Sequence, residues 1–243
     1  MKNKTIAQHD KRIILGLITT ILFMFLCIGP ATHAQAKTYK ISSASSFHKI
    51  GSYKGGTFKL TKDIKLTKPS QYLTISKNKT YVIDLNGHKI KANSYNSGKI
   101  RDYVPIILKK GTLKIKNSAK KKGYLLSTEG AAVFVTGGKL YTYGAGTKTY
   151  PSFKGTYGNG LYILARSGAK VTLKGGSFIS NTSNLSGYYP ILDYYGNTIT
   201  LPKGYSFRDS SGKKRPITNF GYAKYVASNY NTVKKWQWIT VKK

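Results

Sequence analysis

The chain has 243 residues, with 41 Lys or Arg against seven Asp or Glu and a formal net charge of +34 at pH 7. One cysteine excludes an internal disulfide framework, and so few acids leave little material for multi-carboxylate metal or hydrolytic chemistry. Self-repulsion on this scale weakens a compact state unless something anionic offsets it, so the partner is expected to be anionic.

The first 36 residues read as a secretory leader. A basic stretch, MKNKTIAQHDKR, precedes the 17-residue apolar run IILGLITTILFMFLCIG, and THAQA ends in a small-x-small pattern with cleavage expected after Ala36. An uncleaved anchor is the competing reading, since 17 apolar residues lie at the short end of a spanning helix. Cys27 and both methionines fall in the leader. It also holds four of the 41 basic residues and one of the seven acids, so residues 37–243 carry a charge near +31, almost all of it lysine.

After a short stretch at 37–54, expected to cap one end, short alternating segments begin with GGTFKLTKDIKL at 55–66. The segments SKNKTYVIDLNG, IRDYVPIILKKG, STEGAAVFVTGG, GNGLYILARSG and SGYYPILDYYG then align on Gly87, Gly111, Gly138, Gly168 and Gly196, at spacings of 24, 27, 30 and 28. Each glycine is followed by another alternating run, such as HKIKA, TLKIKNS or KLYTYGAG. The runs are too short and too β-branched for helices. A β-sandwich would not need the same turn in the same context every 24–30 residues, whereas a parallel solenoid would.

The run GGTFKLTKDIKLTKPSQYLTISKNKTYVIDLNGHKI, continued by VFVTGGKLYTYG, resembles the coils of right-handed parallel β-helices of the pectin-lyase-like kind, and most nearly the repeat-bearing secreted and surface proteins of Gram-positive bacteria. The resemblance covers about Phe47 to Phe207 and implies an all-β, single-stranded right-handed parallel β-helix of about six coils over 55–207. Residues 208–243, which lack the coil pattern, would form the second cap, with Trp236, Trp238 and Ile239 available to cover the last rung. The fold implies no single activity, because it hosts lyases, hydrolases and adhesins alike.

In the related lyases acidic residues hold calcium and an Arg or Lys takes the proton; in the related hydrolases aspartates cluster on neighbouring coils. After the leader this chain has only Asp63, Asp84, Asp102, Glu129, Asp193 and Asp209. Asp84 and Asp193 each precede their glycine by three residues but lie four coils apart, roughly 19 Å at about 4.8 Å per coil, too far for a paired-carboxylate mechanism. Asp102 and Glu129 each lie nine residues before their glycine on consecutive coils, with Asn78 and Asn159 in the same column and Arg101 adjacent. They are weak ligand candidates, since Asp, Asn and Gly are also what a coil corner requires. His88 reads as a corner residue. No metal site, cofactor or catalytic residue is predicted; the alternative is a polysaccharide lyase acting on an acidic polysaccharide with Arg166 or Arg101 as base.

Alternation sets Phe58, Leu60, Ile64 and Leu66 against Lys59, Thr61, Asp63 and Lys65, and it directs Lys89, Lys91, Lys114, Lys116, Lys170 and Lys174 outward. These lysines, with Arg166, are the predicted polyanion-binding residues. Tyr188, Tyr189, Tyr194 and Tyr195 are candidate stacking residues for sugar rings. Lysine and tyrosine without catalytic acids describe a binding surface. The expected partners are anionic polysaccharide or teichoic acid, with extracellular nucleic acid as a further one. The expected setting is secretion with non-covalent retention at the cell surface.

Overall fold

Apolar residues at every second position, interrupted by Gly, Asn or Pro within a few residues, divide the chain into strands of mostly three to five residues. The structure is a computed structural model describing residues 37–93, 104–143, 151–155, 160–164, 168–180, 190–194, 199–208, 213–215, 218–220, 223–225 and 236–242. Residues 37–243 fall in a single unit.

The strands stack into three parallel faces. The first contains β1 (Thr38–Ile41), β2 (Gly56–Leu60), β5 (Thr80–Asp84), β8 (Thr112–Lys116), β11 (Lys139–Tyr143), β14 (Lys170–Lys174) and the two-residue β17 (Ile199–Thr200). The second contains β3 (Ile64–Leu66), β6 (Lys89–Ala92), β9 (Tyr124–Ser127), β12 (Ser152–Gly155) and β15 (Gly176–Ser180). The third contains β4 (Leu73–Ile75), β7 (Ile106–Leu108), β10 (Val133–Val135), β13 (Leu161–Ile163) and β16 (Ile191–Asp193). The chain visits first, second and third face in turn, which is a parallel β-solenoid.

It makes about four turns, fewer than the six coils expected. The last copy counted in the sequence adds only β17 to the first face. Its continuation, β18 (Tyr205–Arg208), pairs antiparallel with β22 (Trp236–Lys242) instead of extending the second face. β22 in turn lies antiparallel along β15, β19 (Lys214–Arg215) along β18, β20 (Thr218–Phe220) along β21 (Ala223–Tyr225), and β21 along β16.

The glycine column also needs correction. Gly111, Gly138 and Gly168 precede β8, β11 and β14, at the corner between third and first faces, but Gly87 precedes β6 at the corner between first and second. The residue in register with Gly111 is Lys79, since Thr80 pairs with Thr112. Asn78 therefore leaves the column of Asp102 and Glu129.

Inward side chains stack in register. Phe58, Ile83, Ile115, Thr142 and Leu173 form one buried row across the first face. Phe153 and Phe178 on the second face stack at 4.9 Å with planes 6° apart. The N-terminal end is closed by α1 (Ala44–His48), whose Ser43–Ser46 capping box starts the helix and which buries Phe47. Beside it Tyr39, Tyr53, Phe58 and Tyr81 make an aromatic cluster with centroids 4.5 to 6.2 Å apart. Burial raises the Tyr81 phenol, whose hydroxyl donates to the Tyr53 carbonyl at 3.0 Å.

The third face departs from simple alternation. From β7 onward its outward positions Ile107, Phe134, Tyr162 and Leu192 are in register and mainly apolar, following Thr74 on β4, and Phe134 is only 5 % exposed. Ile107, Phe134 and Tyr162, with Val104, Ala131 and Leu164, form a second, smaller apolar cluster outside the solenoid wall.

Candidate polyanion-binding surface

The corner between first and second faces is built from Asp84, Asn86, Gly87 and Asn117. Asp84 is buried; its Oδ1 accepts from the amides of Asn86 at 3.0 Å and Ser118 at 2.9 Å, while Lys116 Nζ lies 3.8 Å from Oδ2. Asn86 takes a φ of +47° and donates from Nδ2 to the Leu60 carbonyl on the preceding coil. The Gly87 amide donates to Asn117 Oδ1 at 2.7 Å, and Asn117 Nδ2 donates to the carbonyls of Ala119 and Lys121. The bonds from Asn86 to Leu60, from Gly87 to Asn117 and from Ser118 to Asp84 tie three successive coils together, so Asp84 works as a corner acceptor.

Asp63 and His88 form the other polar contact at this edge. His88 Nδ1 lies 3.2 Å from Asp63 Oδ1, which also accepts from the Lys89 amide at 3.0 Å. Burial pushes the Asp63 carboxyl up, but the Lys89 amide and His88 outweigh it and hold the group below its ordinary value.

Among the described residues the carboxylates do not converge. Asp84 ends β5 on the first face and Asp193 ends β16 on the third, so they differ in face as well as in coil. Asp193 points into the core, in register with Ile163. Glu129 sits half-buried between β9 and β10. Arg101, Asp102 and Asn159 lie outside the described residues, as do Arg166, Tyr188, Tyr189 and Tyr195. Among the described residues no three His, Cys, Asp or Glu side chains group as metal ligands.

The predicted lysines occupy outward positions. Lys89, Lys91, Lys170 and Lys174 are exposed, and Lys114 and Lys116 are half-buried. They do not form one unbroken ladder. Direct lysine-on-lysine register among the described strands is confined to Lys40–Lys59, Lys65–Lys91 and Lys139–Lys170. Elsewhere other residues intervene: Lys114 lies between Val82 and Tyr141, Lys116 beside Asp84, and Lys91 beside Leu126. Tyrosine alternates with lysine instead. Lys89 Nζ stands 5.9 Å from the Tyr124 ring centre and Lys174 Nζ 5.7 Å from that of Tyr143. Tyr141 and Tyr143 lie side by side on β11 with centroids 6.3 Å apart, and burial followed by the neighbouring Tyr141 raises the Tyr143 phenol. Tyr194 is half-buried just after β16, its amide donating to the Ile163 carbonyl.

A further concentration of positive charge, of which alternation indicated only Lys170, lies at the corner between third and first faces. Lys77 and Lys79 precede β5, Lys109 and Lys110 precede Gly111, and Lys139 and Lys170 open β11 and β14; all six are exposed. The backbone fixes their stacking. The Thr112 amide donates to the Lys79 carbonyl at 2.8 Å, that of Lys139 to Gly111 at 2.8 Å, and that of Lys170 to Gly138 at 2.9 Å. The described carboxylates all lie elsewhere. A sequence signal existed in the lysine pairs KNK and KKG at the ends of two repeats. Correct corner register was needed to bring them together.

No family model matches the chain. No curated protein and no solved structure matches it either.

Proposed function

We propose that the protein is a secreted, non-catalytic right-handed β-helix of the pectin-lyase-like kind, akin to Gram-positive surface proteins, which binds anionic envelope or matrix polymers in adhesion or wall association. The polymers are of the teichoic acid, acidic polysaccharide or extracellular DNA type. The coil pattern of 55–92 supports the family reading. One observation carries the binding reading: among the described residues outward lysines far outnumber carboxylates, and of the predicted binding lysines only Lys116 lies within 4 Å of one, Asp84. Asp63 and Asp84 are already hydrogen-bonded within the corners, and Asp193 is buried in the core.

Lysine heads a few ångströms apart repel by about 1 kcal/mol each at 4 Å in water, a cost that a bound polyanion relieves. Binding of this kind releases counterions, so it weakens steeply with salt and tolerates many polyanions. Titrating the purified protein with acidic and neutral polysaccharides across a salt series tests it. Acidic chains should bind at low salt and be released as salt rises. Equal binding to neutral chains, unmoved by salt, would overturn the reading. Following the acidic-chain samples for newly formed unsaturated ends checks the non-catalytic part, since such ends would make the protein a lyase.

A further inference from the structure

We infer that the corner between third and first faces, formed by Lys77, Lys79, Lys109, Lys110, Lys139 and Lys170, is the principal binding line, and that it takes a flexible phosphodiester chain without stacking rings, laid along the solenoid axis. The inference rests on the polyanion-binding reading and narrows it to one place and one ligand chemistry.

The place follows from packing. From the β5 corner to the β14 corner is three coil spacings, about 14 Å of backbone stack, and six exposed lysines branch from it. Glycine keeps the coils this close. A Cβ on Gly111 would lie 2.6 Å from the Lys79 carbonyl oxygen and nearer still to that of Lys77, and one on Gly137 would strike the Lys109 carbonyl. Lys77 Nζ donates to the Ser52 carbonyl at 2.5 Å, a contact that holds its charge at the corner without neutralising it. The second face is different: Leu126 breaks its lysine row and Tyr124 sits beside Lys89. On the first face Asp84 lies beside Lys116.

The ligand chemistry follows from what the described corner residues offer. Between the β5 and β14 corners the described residues supply lysine and no ring, the half-buried Tyr194 beginning the next corner beyond them, so nothing described along that stretch stacks on a base or a pyranose. By sequence the line carries six lysines to one arginine, Arg166, which lies outside the described residues, so its charge is mainly ammonium and not the guanidinium fork suited to bidentate capture of a planar carboxylate. Lysine binds phosphate as a hydrated point charge on a flexible stem and needs no fixed geometry. A convex edge also suits a chain that can bend along it, and the row of corners runs parallel to the stack.

The test compares two variants of equal charge. In the first, Lys79, Lys109, Lys110 and Lys170 are changed to Gln; in the second, Lys62, Lys65, Lys91 and Lys120. All eight residues are exposed, so both variants should melt with the wild type. The probes are poly(glycerol phosphate), polygalacturonate and single-stranded DNA. The corner variant should lose at least about tenfold more affinity for poly(glycerol phosphate) than the other. Its salt slope should flatten by about 0.7 for each phosphate that is no longer neutralised. Wild type should bind poly(glycerol phosphate) more tightly than either other probe. Equal losses in the two variants would overturn the corner as the site. Tighter binding of polygalacturonate or DNA would overturn the ligand chemistry. Failure of the wild type to bind any of the three at low salt would instead remove the broader polyanion-binding reading.

Discussion

Replacing Gly111 and Gly168 by alanine, one at a time, separates two costs that a turn glycine usually hides. The backbone φ is +76° at Gly111 and +77° at Gly168, so the conformational penalty for a Cβ is the same, about 1–2 kcal/mol. The space differs. No atom of the described residues lies within 4 Å of a Cβ built at Gly168, whereas at Gly111 it meets the carbonyl oxygens of Lys77 and Lys79 and the Lys79 amide nitrogen at 3.1 Å. Those atoms are backbone and cannot swing aside, so neighbouring coils must part. Overpacking of that kind adds about 1–3 kcal/mol, which puts Gly111→Ala at about 2–5 kcal/mol and Gly168→Ala at about 1–2. Urea denaturation at constant slope reads the difference directly. In thermal melts each kcal/mol is worth about 2–4 °C for a chain of this size. Equal losses at the two positions would refute the claim that coil-to-coil packing at this corner is tight.

Substitutions at two further positions probe the polar corners. Asp84→Ala leaves the Asn86 and Ser118 amides without their acceptor and should cost about 2–5 kcal/mol, while Asp84→Asn keeps an oxygen in place and should cost about 1–2; chemical denaturation of both variants checks the order. Asp63 titrates below its ordinary value of 3.8 in the folded chain, so its contribution is present above that value and is lost as pH falls through the lower folded one. Asp63→Asn should therefore flatten the loss of stability below about pH 4, and an unchanged acid limb in urea midpoints would contradict the Lys89 and His88 contacts.

Much of the wall was legible because alternation is local. Phe58 and Leu60 against Lys59, or Leu113 and Ile115 against Lys114, declare their faces within five residues, and the structure buries them accordingly. Corner identity was less legible. Asn86-Gly87 and Lys110-Gly111 both read as a strand, a turn glycine and another strand, but the first turn uses two left-handed residues and the second only its glycine. They close different corners, and only pairing across coils, Thr80 with Thr112, reveals it. The lysine corner was hidden for the same reason: Lys79 and Lys109 are 30 residues apart and become neighbours only through register. The apolar outer row of the third face was masked by brevity, because three-residue strands such as Val133–Val135 are too short to show which side chain faces outward.

The reversed strands at the C-terminal end bear on how such a stack stops. A parallel rung is a template: its free edge offers the next rung the same donors and acceptors that it used itself, and nothing in that pattern limits elongation. Where β22 lies along β15 and β21 along β16, chain direction flips and the exposed pattern no longer matches the one that built the wall. A second molecule presenting its first rung would find mismatched spacing on two of the three faces, and on the remaining one a strand of only two residues. The chain thus carries its own terminator, and removing β22 should turn a finite rod into a seed for fibres.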